Sequence, residues 1–349
     1  MRLLQRPRVP TAFGLWLRLA LLALALLLWG LMAMGCAMPP SPPARADGLP
    51  EARAARLALY EKTLRHYLER GWLPFLDLGV SLADLKDPDR LIEGMDAAGV
   101  ALAAVSAPDE DALWEAVRRH PGRLVPLTGE APAEAWAGRP AEFREGLERR
   151  LGRGALGIGP IRAGRLAEGE ESRPRLEALA ALLAFAAGRR IPVVLDLPPA
   201  DPDVGRLEKL LADHPAAQVV WTGAGHLPRR EMNPGYGHAL LRALSLRHAN
   251  LSFALSTLQP PEASPVIRPQ RNLLYDPGGR FTLEWGAVID SRVGHFLTGS
   301  SPGAGSAAAY AARMKAYRRL AIESLAPASR PRVAYQNAWR LLAGEDWKE

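Results

Sequence analysis

The amino-acid sequence predicts an α/β fold, specifically a (β/α)8 TIM-like barrel with one extra helix before the first strand and one after the last. Eight short apolar runs of five to seven residues recur along the chain, and charged segments with helical periodicity lie between them. Runs of that length without polar alternation are typical of strands buried on both faces, as in parallel sheets. Strand and helix alternating eight times therefore predict a barrel of ordinary size.

The eight predicted strands occupy residues 74–80, 100–106, 124–128, 155–160, 192–197, 218–223, 251–256 and 294–299. The predicted helices of the barrel occupy residues 87–98, 109–119, 140–151, 173–189, 204–213, 237–248 and 307–325. The extra helices lie at 51–70 and 334–343, where they pack outside the barrel or cover its floor. A doubly wound open sheet is the alternative architecture. No strand is followed by a G-x-G-x-x-G loop, so the sequence does not favour nucleotide binding.

The first 36 residues have the layout of an export signal. Four arginines precede a nearly unbroken apolar stretch at residues 19–35, and the first acidic residue is Asp47. Without those four arginines the formal net charge of +7 becomes +3, so the rest of the chain has no basic footprint for nucleic acid. We therefore expect the folded part of the chain to lie outside the cytoplasm.

The only cysteine, Cys36, directly follows this apolar stretch in the sequence AMGC at 33–36. Small residues before such a cysteine resemble a bacterial lipoprotein signal, which implies cleavage beside Cys36 and lipidation of its side chain. Ala33 departs from the leucine that is usual there. Two alternatives remain. The apolar stretch could be an uncleaved helix, because its length approaches the roughly 20 residues that cross a bilayer. The chain could also be secreted after cleavage near residues 44–46. A lone cysteine also excludes an internal disulfide.

These features divide the chain into three parts. Residues 1–36 form the export signal with its lipoprotein-like cysteine, residues 37–49 form a proline-rich tether, and residues 50–349 form the barrel domain. Proline-rich linkers favour extended conformations. The predicted partner of the N-terminal region is a membrane, reached through lipidated Cys36 or an uncleaved helix. The expected location is extracytoplasmic and membrane-anchored.

The strand ends carry a family resemblance. In a barrel of this kind, reacting groups lie at the carboxyl ends of the strands. Here these ends read FLDLGVS (75–81), PVVLD (192–196), VVWTGAGH (219–226) and FLTGSSP (296–302). With HANLSFALS (248–256) and FTLEW (281–285), they resemble the amidohydrolase-2 branch of the metal-dependent amidohydrolase superfamily over about residues 70–345. The resemblance implies a barrel whose strand ends hold a divalent metal for hydrolysis.

The metal ligands of that family do not carry over to this sequence. The strand-one H-x-H falls on Gly79 and Ser81, the strand-five histidine on Asp196, the strand-six histidine on Gly223 and the strand-eight aspartate on Ser301. A divalent metal needs imidazole or carboxylate ligands, and only Asp196 offers one. We therefore predict no metal and no other cofactor.

Other polar residues near the strand ends are candidates for ligand binding. Of the seven histidines, only His226 follows the carboxyl end of a strand, although a loop histidine bonded to nearby backbone is the simpler interpretation. Asp77 precedes the first ligand position, Glu130 follows strand three, and Arg162 after strand four could meet an anionic ligand. No G-x-S-x-G elbow is present, so a serine hydrolase is not supported. The predicted ligand-binding set is Asp77, Ser81, Glu130, Asp196, His226 and Ser301.

The sequence leaves three functions open. The first is a membrane-tethered amidohydrolase-like barrel without metal-dependent hydrolysis, which binds a small molecule or a protein at its mouth. The second is an active hydrolase with a relocated centre, in which Asp196 and His226 share the acid–base work. The third is a structural or interaction module of the cell envelope whose outer surface matters more than its mouth.

Overall fold

The computed structural model describes residues 51–83, 87–129, 131–132, 138–167, 172–197, 200–222, 236–256, 274–276, 278–299 and 306–349. The predicted export signal, Cys36 and the predicted tether lie outside these residues. So do four predicted site positions, namely Glu130, Gly223, His226 and Ser301. Within the described ranges, none of the helices has the length and apolarity needed to cross a membrane.

Helices and parallel strands alternate along the described chain. In order they are α1 (Glu51–Glu69), β1 (Phe75–Ser81), α2 (Pro88–Ala98), β2 (Val100–Ser106), α3 (Glu110–Arg119), β3 (Leu124–Pro126), β4 (Ala131–Pro132), α4 (Pro140–Gly152), β5 (Ile158–Arg162), α5 (Ser172–Arg189), β6 (Val193–Asp196), α6 (Asp201–Asp213), β7 (Val219–Trp221), α7 (His238–Arg247), β8 (Leu251–Ser256), α8 (Leu283–Ser291), β9 (Phe296–Gly299), α9 (Ala307–Ala316) and α10 (Asn337–Ala343). Helical turns extend α9 through Tyr317–Ala321 and Ile322–Ser324, and other turns precede α10 at Ser329–Pro331 and Arg332–Gln336.

The strands neighbour one another in chain order. Strands β1 to β3 form one hydrogen-bonded sheet and β4 to β9 form another, and a bridge between Leu127 and Gly157 joins the end of β3 to the start of β5. A Cβ atom added at Gly299 in β9 would lie only 2.8 Å from the carbonyl oxygen of Leu78 in β1, so the last strand lies against the first. The α/β prediction is confirmed, and the cyclic order of neighbours agrees with the predicted barrel.

Two strand predictions match the structure at both ends. Every residue of β2 is buried, and β2 and β8 have the predicted bounds. Periodicity did not predict α8 or β4. The nine residues of α8, which include Gly286, carry little helical signal, and the two residues of β4 are too few to show a period.

Capping residues fix the start of two connecting helices. The side chains of Asp87 and Asp109 accept hydrogen bonds from the backbone N–H groups of Asp89 and Asp111, at 3.0 and 2.9 Å. These bonds satisfy donors that the first turn of a helix leaves without an intrahelical partner. Helix α2 ends at Gly99, whose φ of +70° is the left-handed conformation that glycine adopts most easily.

The two extra helices cover the amino ends of the strands. The hydroxyl of Tyr60 in α1 donates to the carbonyl oxygen of Leu124, the first residue of β3, at 2.7 Å. The side-chain amide of Asn337 in α10 donates to the carbonyl oxygen of Phe296, the first residue of β9, also at 2.7 Å. Of the two placements that the sequence left open for these helices, these contacts favour the one at the amino ends of the strands. The carboxyl ends of the strands lie on the opposite side.

Candidate functional site

Hydroxyl side chains dominate the carboxyl ends of the described strands. Ser81 and Ser106 are the last residues of β1 and β2 and are partners in the parallel register. Thr222 directly follows β7, and Thr128 lies two residues after the end of β3. The structure thus brings the predicted residue Ser81 beside a second serine that the sequence analysis did not single out.

Several of these hydroxyls are already used by neighbouring backbone. The Oγ atom of Ser81 accepts a hydrogen bond from the N–H of Ala83 at 3.2 Å, and the Oγ1 atom of Thr128 accepts one from the N–H of Gly159 at 3.0 Å. The hydroxyl of Thr222 donates to the carbonyl oxygen of Leu195 at 3.3 Å. These bonds hold the backbone of the strand ends in place.

Gly79 has a backbone conformation that only glycine adopts easily. Its φ is +115°, and the register between β1 and β2 is irregular between Leu78 and Val80. A side chain at this φ clashes with the local backbone, which costs about 1–3 kcal/mol. At the position that matches the first metal ligand of the resembled family, this chain therefore has neither an imidazole nor a backbone conformation that carries a side chain without strain.

The residues at the end of β1 do not fit a divalent metal. Gly79 offers no side chain, and the hydroxyl of Ser81 is a neutral oxygen that already accepts a hydrogen bond. Zinc sites in proteins use thiolate, imidazole or carboxylate groups. No group of three or more His, Cys, Asp or Glu side chains within the described ranges is arranged to hold a metal ion.

Asp77 is buried against a helix. Its side chain is fully buried, and its Oδ2 atom accepts a hydrogen bond from the hydroxyl of Tyr310 in α9 at 2.9 Å. Burial, followed by the negative charge of Asp77, raises the pKa of Tyr310 well above its ordinary value, so this hydroxyl stays protonated and donates. This contact gives Asp77 a structural role between β1 and α9, and its predicted role in ligand binding stays a prediction.

Asp196 lies beside an arginine at the strand ends. It is the last residue of β6 and the register partner of Arg162, the last residue of β5. The backbone oxygen of Asp196 accepts a hydrogen bond from the N–H of Ala163 at 2.9 Å. Asp196 is half-buried and Arg162 is exposed. This pair is where the described strand ends bring opposite charges onto neighbouring strands.

Sequence reasoning missed the residue that fixes the loop after β5. Asp203 in the first turn of α6 is fully buried. Its carboxylate accepts hydrogen bonds from Nε of Arg165 at 2.6 Å and from the N–H groups of Leu166 and Ala167 at 2.7 and 2.9 Å. The signal was a second aspartate in the first turn of a helix, but such residues usually serve the helix itself.

Trp221 packs in the core. It is fully buried at the end of β7, its Nε1–H donates to the carbonyl oxygen of Leu197 at 2.8 Å, and its ring meets Tyr236 edge-on at 6.2 Å between centroids. A buried indole whose N–H is already bonded supports packing. It offers no platform for a ligand.

His295 lies at the amino end of β9, opposite the strand ends that carry reacting groups in barrels of this kind. Its Nδ1 atom is 2.7 Å from the carbonyl oxygen of Leu251, so Nδ1 donates, and its Nε2 atom is 3.2 Å from Nη2 of Arg292. Burial lowers the pKa of His295 from its ordinary value. The neutral ring therefore joins β8 to the turn before β9.

Comparison with known proteins gives two amidohydrolases among the solved structures. No protein-family model matches the chain, and no curated protein matches it either. A zinc-bound amidohydrolase from Burkholderia multivorans is 16% identical, with a TM-score of 0.48 over 77% of this chain and 99% of that one. Amidohydrolase 2 from Bifidobacterium longum subsp. infantis is 15% identical, with a TM-score of 0.37 over 78% of this chain and 100% of that one. At these TM-scores the likeness supports no conclusion about the fold, site or reaction of this chain.

Proposed function

We propose that this protein is a membrane-tethered, extracytoplasmic, amidohydrolase-like protein that does not perform metal-dependent hydrolysis and instead binds a ligand at the carboxyl ends of its strands. The amidohydrolase character is supported by the sequence phrases at the strand ends. The parallel α/β fold is compatible with it. The tether is supported by the arginines, apolar stretch and cysteine of residues 1–36.

The loss of metal chemistry rests above all on Gly79. A residue at the first ligand position with a φ of +115° cannot be exchanged for histidine without strain. Ser81, at the second position, has its hydroxyl engaged by backbone. The backbone conformation at Gly79 therefore opposes any ligand side chain at this position, and not only an imidazole.

The ligand best suited to this site is a small polar molecule. The strand ends offer hydroxyl groups together with the neighbouring charges of Arg162 and Asp196. A guanidinium and a carboxylate on adjacent strands bind groups that donate to one and accept from the other. The predicted ligand residues Glu130, His226 and Ser301 remain part of this proposal.

A hydrolysis and binding assay tests the proposal. Full-length protein would be incubated with ester and amide panels, with added zinc or with a chelator, and a small polar library would be screened by thermal shift. We expect no zinc-stimulated turnover, and we expect thermal-shift hits that persist in chelator and are lost in Asp196→Asn. Turnover that requires zinc and disappears in Asp196→Asn would reject the proposal.

A relocated hydrolytic centre at Asp196 and His226 is the alternative function. It predicts chelator-resistant turnover with a pH profile set by a carboxylate and an imidazole. His226→Gln and Asp196→Asn would each abolish this turnover. The same substrate panel therefore separates the two functions.

Membrane anchoring has its own test. Full-length protein would be expressed in a bacterium fed an alkyne-labelled fatty acid, and the membrane fraction would be examined with Cys36→Ser beside the parent chain. We expect the label on the parent and none on Cys36→Ser. An unlabelled parent that stays in the membrane would point to the uncleaved helix, and an unlabelled parent in the soluble fraction would reject anchoring.

A further inference from the structure

The outer side of α1 carries an unusual share of the exposed apolar surface. Four large hydrophobic side chains are prominently exposed among the described residues, and two of them, Leu59 at 43% and Trp72 at 53%, lie on α1 or in the turn after it. The guanidinium of Arg70 lies 5.5 Å from the centre of the Trp72 ring. We define the α1 surface by its exposed residues, which are Glu51, Ala54, Ala55, Ala58, Leu59, Lys62, His66, Glu69, Arg70 and Trp72.

A cluster of arginines adjoins this surface. The carboxylate of Glu110 in α3 forms ion pairs with Arg149, Arg150 and Arg153, at 3.1, 2.9 and 3.1 Å. Arg149 and Arg153 are well exposed. One carboxylate thus holds three guanidinium groups, and their positive charge exceeds what Glu110 neutralises.

Helix α1 contributes a fourth arginine to the same cluster. The guanidinium groups of Arg153 and Arg56 lie 4.5 and 5.4 Å from the centre of the Trp114 ring. Nη2 of Arg56 also donates to the backbone oxygen of Arg153 at 3.4 Å. We call Arg56, Arg149, Arg150 and Arg153 the arginine cluster. With Glu110 it has a net formal charge of about +3.

Both features lie close to the predicted tether. Arg56 is five residues into α1, and α1 begins at Glu51, directly after the predicted domain boundary. The predicted tether has 13 residues, 37–49, which could span roughly 40 Å at about 3.1 Å per residue. A chain anchored at Cys36 could therefore bring α1 to the membrane surface.

We propose that the α1 surface and the arginine cluster lie against the anionic phospholipid headgroups of the membrane to which the chain is tethered. This inference rests on the proposed membrane anchoring. Arginines near a bilayer are attracted by anionic headgroups, tryptophan favours the interface between lipid and water, and Leu59 adds apolar area there. The occupant that matches this combination of charge and aromatic surface is a lipid surface.

The proposed orientation has a functional consequence. Helix α1 covers the amino ends of β2 and β3, through contacts such as that of Tyr60 with Leu124. A membrane against the outer side of α1 leaves the carboxyl ends of the strands facing away from the lipid. The candidate site is then open to ligands from the aqueous compartment.

Fluorescence on reconstituted full-length protein tests this orientation. Lipidated Cys36 is blocked, so a polarity-sensitive dye can be attached to Leu59→Cys, or to Leu283→Cys, which is 89% exposed in α8, as the control. Each labelled protein would be placed in vesicles of phosphatidylcholine alone and of equal parts phosphatidylcholine and phosphatidylglycerol. In anionic vesicles we expect the emission of the dye at position 59 to shift to the blue and to be quenched by lipid-borne quenchers. Both effects should weaken as the salt concentration is raised, and neither should occur at position 283.

Charge variants supply the matched controls. At about 1 kcal/mol for each basic residue, Arg149→Gln with Arg150→Gln should weaken the docked state roughly 25-fold. Glu110→Gln should strengthen it, and Arg173→Gln, an exposed arginine in α5, should leave it unchanged. The inference would be overturned if the dye responded equally at positions 59 and 283, or if it did not respond at position 59. It would also be overturned if neither the Arg149/Arg150 double variant nor Glu110→Gln changed the response of the dye. Retention of the chain in neutral vesicles reports separately on the tether.

Discussion

Gly79 matches the first metal ligand of the family that the sequence resembles. Replacing it with histidine tests whether this position can hold a metal ligand. The φ of +115° makes any side chain there strained by about 1–3 kcal/mol. With an m-value of about 3 kcal/mol/M for a domain of this size, Gly79→His should lower the urea midpoint by roughly 0.3–1 M. The variant should bind no more zinc than the parent.

Two matched variants separate backbone strain from side-chain chemistry. Gly79→Ala should lose nearly as much stability as Gly79→His, because the strain begins with Cβ. Gly286→Ala in α8 should be neutral or slightly stabilising, because a Cβ there meets nothing within 4 Å and glycine weakens a helix. A Gly79→His variant that unfolds at the parent midpoint and takes up one zinc ion per chain would show that this position accepts a metal ligand without strain.

Three further substitutions probe the contacts that position the strands. Tyr310→Phe should cost about 1–3 kcal/mol, measured by urea unfolding, because it removes a hydrogen bond of 2.9 Å to buried Asp77; a loss below about 0.5 kcal/mol would contradict this role. Arg318→Lys should cost a similar amount, since two nitrogens of the planar guanidinium reach three carbonyl oxygens, including that of Gly99 at 2.8 Å, and the compact ammonium of lysine lacks this fork geometry. Burial lowers the pKa of His295, so the unfolded chain takes up this proton first, and the stability the neutral ring contributes should be lost as pH falls below about 6.5. His295→Asn should reduce the loss of stability between neutral and mildly acidic pH, and an unchanged pH dependence would argue against the neutral ring.

The sequence predicted the fold well because its strands are buried on both faces. Strand β2 is apolar up to its last residue, Ser106, and wholly buried, which is the pattern of a strand covered on both faces. Strand β4 has two residues and depends on its neighbour β5, so no local pattern could reveal it. Strand β4 forms because it pairs with β5, and not because of its own sequence pattern.

The candidate site was predicted only in part. The position of Ser81 at the end of β1 and that of Asp196 at the end of β6 followed from strand order. The contact of Asp77 with Tyr310 did not follow, because the two residues are 233 positions apart in the chain and no local pattern joins them. The anchoring role of Asp203 depends on a loop 36 to 38 residues earlier in the chain, and local reading could not detect that contact.

We propose that this chain lacks the metal site of the family that its strand-end sequences resemble. The most direct test is elemental analysis of the full-length protein, purified after exposure to zinc and then passed through a desalting column. We expect a zinc content far below one ion per chain, and we expect the same content in Asp196→Asn. About one tightly bound zinc per chain, lost in Asp196→Asn, would contradict it.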